Sequence, residues 1–217
     1  QCLFSSMIGG RSGNRGFCAQ PCRKKYRLYK NREMIDTRGE YLLSPKDLNT
    51  AEILPELIDT GIDAFKIEGR MKRPEYVAGV VSIYRRLIDR YMENPSGYIV
   101  YENELKQLSQ LFNRGFTTAY LLNNPRYDLI NPVHPYNRGL PLGEVTGYDN
   151  KHKNLKIELS DTLNIGDGIG IKLIEEIGDT VTSIYKNGKK TDSADAGSVV
   201  AIPFKKKVKS ESKVYKT

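Results

Sequence analysis

Tryptophan is absent from this 217-residue chain, and histidine and cysteine are scarce, with two and three copies. The two histidines are His134 and His152, and neither an H-E-x-x-H zinc site nor a Ser/His/Asp set can be read from the sequence. Three cysteines cannot close a disulfide framework without leaving one over. No basic-then-apolar leader opens the chain, which points to a reducing, cytoplasmic setting. Apolar runs stay well short of the roughly 18 residues that mark a membrane span, so the sequence reads as a non-membrane protein. The first residue is Gln1 rather than Met, and we expect the back part of a longer protein.

What is present is charge, unevenly placed. The net charge is +8. Between Arg11 and Arg38, nine basic residues face only Glu33 and Asp36, a local +7, and between Pro203 and Thr217 six lysines face Glu211, a local +5. The rest of the chain sums to −4. Two basic zones on a mildly acidic body suit a polyanion such as RNA. For residues 203–217 a solvated lysine-rich tail is the plainer reading.

Residues 1–23, rich in Gly, Ser and Arg, show no periodicity and read as an extended functional loop. Tyr26–Tyr29 and Glu40–Ser44 have strand character, with a turn at Thr37-Arg38-Gly39. Pro55 starts a short helix that Gly61 ends. Asp63–Gly69 is a short β-prone run. After it, Val77, Val80, Val81, Tyr84, Leu87, Ile88 and Tyr91 recur at helical spacing, starting near Pro74 and stopping at Asn94-Pro95. A further helix is expected over Glu102–Phe112. Strand and helix in alternation are the grammar of a parallel sheet or barrel.

Beyond Pro125 the texture changes. Prolines and Asn137-Arg138-Gly139 make residues 125–140 a linker, separating a domain over 1–124 from another over 141–217. In the latter, LGEVTGY, LKIEL, IGIKLI, TVTSIY and SVVAI are short strands, with turns at Gly166-Asp167-Gly168 and Asn187-Gly188. That spacing predicts a small antiparallel β-barrel or sandwich with a basic C-terminal tail. An Asn-Arg-Gly triplet occurs three times, at 14–16, 113–115 and 137–139. Each is a natural turn, and each also presents an arginine to anions.

The cysteines Cys2, Cys18 and Cys22 are not spaced as a zinc ribbon. They are either small buried residues or, given the arginines around them, thiolates able to bind metal or attack.

Five blocks in order, QCLFSSMIGGRSGNRGFCAQPCR, YLLSPKDL, FKIEGRMKRPEYV, LFNRGFTTAYL and NRGLPLGEV, resemble peptidase family U32. The resemblance spans residues 1 to about 147. It implies a TIM-type (β/α) barrel whose cysteines bind a [4Fe-4S] cluster, followed in many members by a small β-barrel of translation-factor type. Cys2, Cys18 and Cys22 match three of the family's four ligands, and the fourth would fall before Gln1; such a cluster ordinarily needs all four. A complete barrel takes about 250 residues, so residues 1–124 would be its C-terminal portion and the N-terminal half a missing partner.

Some family members are named collagenases; others resemble oxygen-independent iron-sulfur hydroxylases of RNA bases or ubiquinone precursors, with prephenate implicated as cosubstrate of the RNA enzymes. We expect an RNA-modifying hydroxylase. In that reading Arg11, Arg15 and Arg70 neutralise anionic substrate groups and Glu68, with Arg70 at the end of the FKIEGR run, orients or deprotonates the reacting partner. Arg114 and Arg138 are further substrate-binding candidates, and a Glu68 salt bridge to Arg70 or Lys66 is the plainer alternative. Two rivals stand beside it: a peptidase acting on peptide substrate, and a noncatalytic RNA-binding module formed by the C-terminal domain.

Overall fold

The structure, a computed structural model, describes residues 2–69, 72–123, 129–172 and 176–217. The chain divides into two units, Gln1–Arg138 and Gly139–Thr217.

The first unit opens with a one-and-a-half-turn helix, α1 (Phe4–Gly9), and two single turns at Gly13–Arg15 and Pro21–Arg23. A hairpin follows, β1 (Leu28–Lys30) against β2 (Glu33–Ile35). Its two-residue turn, Asn31-Arg32, has positive φ at both positions, which matches the right-handed twist of the strands it joins. The sequence pattern located the first strand but took the second for polar loop, since an exposed hairpin has no buried face to produce alternation.

Glu40–Ser44 is not a strand. Ser44 N–H donates to Tyr41 O, closing a turn, and Tyr41 N–H donates to Pro132 O. Pro45, which has no N–H for a ladder, follows at once. The short strands β3 (Asp47–Leu48) and β4 (Phe116–Thr117) pair in parallel. Parallel neighbours need a long crossover, and here it contains α2 (Leu54–Asp59), α3 (Pro74–Glu93) and α4 (Glu102–Leu111).

α3 begins where the sequence predicts. Pro74 occupies the first turn, where its missing N–H costs nothing, and Arg73 before it is extended, as a residue preceding proline prefers. The helix stops at Asn94, whose side chain accepts from Gly97 N–H. Its buried face is Val80, Ile83 and Leu87, flanked by Tyr84 and Ile88. Val77 and Val81, expected on that face, are exposed, so the stripe is turned toward Ile83. Ala51, Leu54 and Leu108 complete this core.

Asp63–Gly69 forms no strand. Phe65 and Ile67 pack on the helical core while Lys66 and Glu68 face out, so the period-2 pattern is present. What is missing is a neighbouring strand to make the ladder.

The second unit is one eight-stranded antiparallel sheet with a small two-stranded ladder beside it. Its strands are β5 (Leu140–Asp149), β6 (Asn154–Leu159), β7 (Leu163–Asn164), β8 (Gly168–Lys172), β9 (Glu176–Thr180), β10 (Ile184–Lys186), β11 (Lys189–Thr191), β12 (Ser193–Ala194), β13 (Val199–Pro203) and β14 (Lys213–Lys216). The sheet order is β11-β10-β13-β6-β5-β14-β8-β9, and β7 pairs with β12. Among the described residues its outer strands do not pair with each other, so the architecture is a curled antiparallel half-barrel, where the sequence predicts a small β-barrel or sandwich.

The curl follows from irregularities in the ten-residue strand β5. Its register slips against β6 at Val145/Gly147 and against β14 between Gly143 and Pro141, and such bulges bend a strand and increase its twist. At Gly143 a Cβ would meet the Glu158 carbonyl oxygen at 2.1 Å, so β5 and β6 can approach only with glycine there. One face of the curled sheet then encloses its own core, with Leu142, Leu155, Ile157, Ile171, Ile184, Ile202 and Val214 almost completely buried. Asn187-Gly188 makes the β10–β11 hairpin turn, both residues at positive φ. TVTSIY is broken after Thr180, where Val181 leaves the ladder to fill the core and its N–H donates to Asp167 O.

The lysine-rich end is not a free tail. β14 lies between β5 and β8. Phe204 and Val208, both buried, pin the segment that carries Lys205, Lys206, Lys207 and Lys209.

Candidate functional site

The N-terminal loop folds back on α1. Buried Ser5 accepts the Ala19 N–H on its Oγ at 2.9 Å, and Arg11 Nε donates to Phe17 O at 2.9 Å. Arg15 ends the turn at Gly13–Arg15, and Gly16 follows at φ +81°. Cys18 Sγ accepts from Gln20 N–H at 3.3 Å, and Cys22 sits in the Pro21–Arg23 turn, braced by Tyr26 Oη donating to Pro21 O. Cys2 is exposed; Cys18 and Cys22 are half-buried. All three are thiols on one small substructure. Even so, among the described residues no group of three or more Cys, His, Asp or Glu side chains is arranged to hold a metal ion. As they stand, the three cysteines do not fit a preformed cluster site.

Glu68 is exposed, its side chain 72% accessible, with Lys66 Nζ 4.0 Å away. Arg70 lies outside the described residues. Two of the Asn-Arg-Gly turns lie side by side: Asn113 N–H donates to Asn137 Oδ1 at 2.8 Å and Arg138 N–H donates to Asn113 O at 2.5 Å. The third, with Arg15, belongs to the N-terminal loop. The structure therefore does not join Arg11 and Arg15 to Arg114 and Arg138 through any hydrogen bond described.

Arg114 leads instead to a cluster that sequence reasoning missed. Its backbone N–H and Nε both donate to Asp47 Oδ2, at 2.9 and 3.1 Å, while Nη2 bonds Asp47 Oδ1. Its guanidinium also lies 5.0 Å from the centre of the Phe112 ring. Lys72 places its ammonium over the same ring and 5.3 Å from that of Tyr76, and the two rings meet edge to face. From a fourth segment, Arg23 Nη1 donates to Ser44 Oγ and Pro45 O, each at 2.7 Å.

Electrostatics register the crowding. Burial first and repulsion from Arg114 second pull Lys72 down to about 8; Asp47 opposes them, and Arg23 adds the smallest repulsion. Arg23 is lowered in the same way, by burial first and Arg114 second. Residues 23, 47, 72, 112 and 114 are scattered in the sequence. The available signal was the extra lysine beside the FKIEGR run.

Residues 1–131 match the sequence model of peptidase family U32. The chain belongs to that family. A U32-type relative from Methanocaldococcus jannaschii, named an uncharacterized protease, is 34% identical over 99% of this chain and 55% of its own length. A tRNA hydroxylation protein of Bacillus subtilis is 40% identical over 59% of this chain and 32% of its own length. A collagenase of Porphyromonas gingivalis is 31% identical over the whole chain and 61% of its own length. The chain thus spans between about a third and three fifths of the length of these curated relatives. Among the described residues no helix is long and apolar enough to cross a membrane.

Proposed function

We propose that this U32 chain is part of an enzyme that hydroxylates RNA bases without molecular oxygen. The observation that carries the reading is its likeness, at 40% identity, to a tRNA hydroxylation protein. The nine basic residues between Arg11 and Arg38 support it, since phosphate contacts dominate the nonspecific part of RNA affinity.

In this reading residues 1–124 are the C-terminal portion of a (β/α) barrel. The parallel β3–β4 pair with its helical crossover supports that, as does the strand-patterned but unpaired run at residues 63–69. So do the exposed large apolar side chains, all of which except Ile165 and Val199 lie within residues 1–138 among those described. A barrel half arriving from outside this chain would cover them. Cys2, Cys18 and Cys22 would ligate a [4Fe-4S] cluster once a fourth ligand, also from outside, gathers them. Arg11, Arg15, Arg70, Arg114 and Arg138 would hold anionic substrate, prephenate included, near Glu68. The compartment would be the cytoplasm.

A second reading, a peptidase, has the collagenase relative in its favour because that likeness covers the whole chain. One preparation separates the two. Full-length protein purified without air is assayed for iron and acid-labile sulfide, and for its ability to restore hydroxylated nucleosides to RNA from cells lacking it. The hydroxylase reading requires both, with both lost on Cys18→Ser. A colourless, iron-free preparation that cleaves denatured collagen would replace it with the peptidase.

A further inference from the structure

We propose that Arg23, Lys72 and Arg114 line a binding site for a doubly charged oxyanion of the phosphate type. The site shares Arg114 with the substrate-binding set of the hydroxylase reading, adds Arg23 and Lys72 to it, and does not depend on iron.

Charge balance comes first. Asp47 spends both oxygens on Arg114, which supplies three of its own N–H donors; Lys72 shares the Phe112 ring with Arg114, and Arg23 is bonded to Ser44 and Pro45, just ahead of Asp47 in the chain. Arg23 and Lys72 make no ion pair among the described residues. Two positive charges are therefore left over in a half-buried place, where charge without a counter-ion is costly.

Donor geometry comes second. Arg23 uses only Nη1, on Ser44 Oγ and Pro45 O. Those bonds fix the guanidinium plane, while Nε and Nη2 have no acceptor among the described residues. Arg114 likewise leaves Nη1 unused. Among the described residues Lys72 Nζ makes no hydrogen bond; its ammonium rests on the Phe112 and Tyr76 rings. A proton donor held against aromatic faces beside two half-used guanidinium groups is what a compact tetrahedral oxyanion needs. A dianion matches the uncompensated charge and would relieve the repulsion that depresses Lys72.

The test follows Lys72 itself. The 217-residue chain, labelled with 13C and 15N at lysine, is titrated with inorganic phosphate at constant ionic strength set by chloride, and the Lys72 Nζ resonance is assigned from Lys72→Arg. We expect a saturable shift of that resonance and a rise in the pH at which it titrates. Lys72→Met and Arg23→Gln, each checked for an intact amide spectrum, should each weaken phosphate binding about tenfold. Lys206→Ser, far from the cluster in sequence and in the other unit, should leave it unchanged.

The proposal fails if chloride alone gives the same shift, or if Lys72→Met binds phosphate as the parent does. It also fails if a short RNA saturates the Lys72 shift while phosphate and simple phosphate monoesters do not, because the site would then read a singly charged polymer backbone.

Discussion

Arg114 grips Asp47 through both its side chain and its own backbone N–H, and so ties the end of α4 and the start of β4 to β3. The pair is largely shielded, at 19% and 20% side-chain exposure. Removing the carboxylate would strand Arg114 beside Lys72 and Arg23 with no compensating charge. Asp47→Ala should therefore destabilise the first unit by about 3 kcal/mol, as for a broken buried ion pair. Urea unfolding followed by a probe in residues 1–138 measures this, and a midpoint unchanged from the parent would mean the pair is not structural.

Lys72 gives a pH dependence of definite sign. Its folded-state value, about 8, lies below its ordinary 10.5. Between those values the unfolded chain binds the proton more readily, so the stability contributed by this group rises as pH is raised from about 8 toward 10.5. At pH 7 the protonated amine opposes folding. In buffer free of phosphate and sulfate, Lys72→Met should melt slightly higher than the parent at pH 7, by about 1–2 °C, because solvent screens a half-exposed group. The advantage should vanish by pH 10. A variant that melts lower at both pH values would show that the ammonium's contact with Phe112 outweighs the repulsion.

A second ion pair locks α3 to α4. Buried Glu104 accepts from Arg90 Nη1 and Nη2 at 2.9 and 3.1 Å and from the Tyr101 N–H at 3.0 Å, which also caps the start of α4. The Arg90 hydrogen bonds are the main reason its carboxyl titrates below the ordinary value. A lowered acid pKa contributes stability that is present above the unfolded value and lost as pH falls below it. Glu104→Gln should cost stability at pH 7 and also flatten the loss between pH 5 and pH 3. Thermal melts across that range check it, and parallel curves for parent and variant would exclude Glu104 as a source of the acid sensitivity.

These relationships explain which parts of the fold were legible. The limits of α3 could be read because Pro74 and Asn94-Pro95 act locally and the apolar spacing runs for about four turns. Asn187-Gly188 could be read because that turn is set by two residues. Glu40–Ser44 misled because Leu42 and Leu43 have strand propensity while Tyr41 and Pro45 are committed to a turn against Pro132 and its neighbours. Asp63–Gly69 has a strand's alternation and no strand's partner, and only tertiary structure supplies the partner. The Asp47 cluster was hidden for the same reason, as its members come from four separate segments. The three cysteines were conspicuous in sequence because all lie within the first 22 residues, while among the described residues no group of three metal-ligating side chains is assembled.

The lysine-rich end looks dispensable from its charge pattern alone. β14 is an interior strand, hydrogen-bonded on one side to β5 and on the other to β8. Val214 is buried in the core, and Lys216 Nζ lies 2.6 Å from Asp167 Oδ2 with both side chains largely shielded. A chain ending at Ser212 would expose two strand edges and open the core, and unpaired edges invite aggregation. It should therefore lose the cooperative unfolding and amide protection of residues 139–212. Replacing Lys205, Lys206 and Lys207 together by Ser should leave that protection intact, because their backbone is held by Phe204 and Val208 rather than by the ammonium groups. If the truncated chain kept native protection in β5 and β8, the strand would be peripheral and the solvated-tail reading of the sequence would stand.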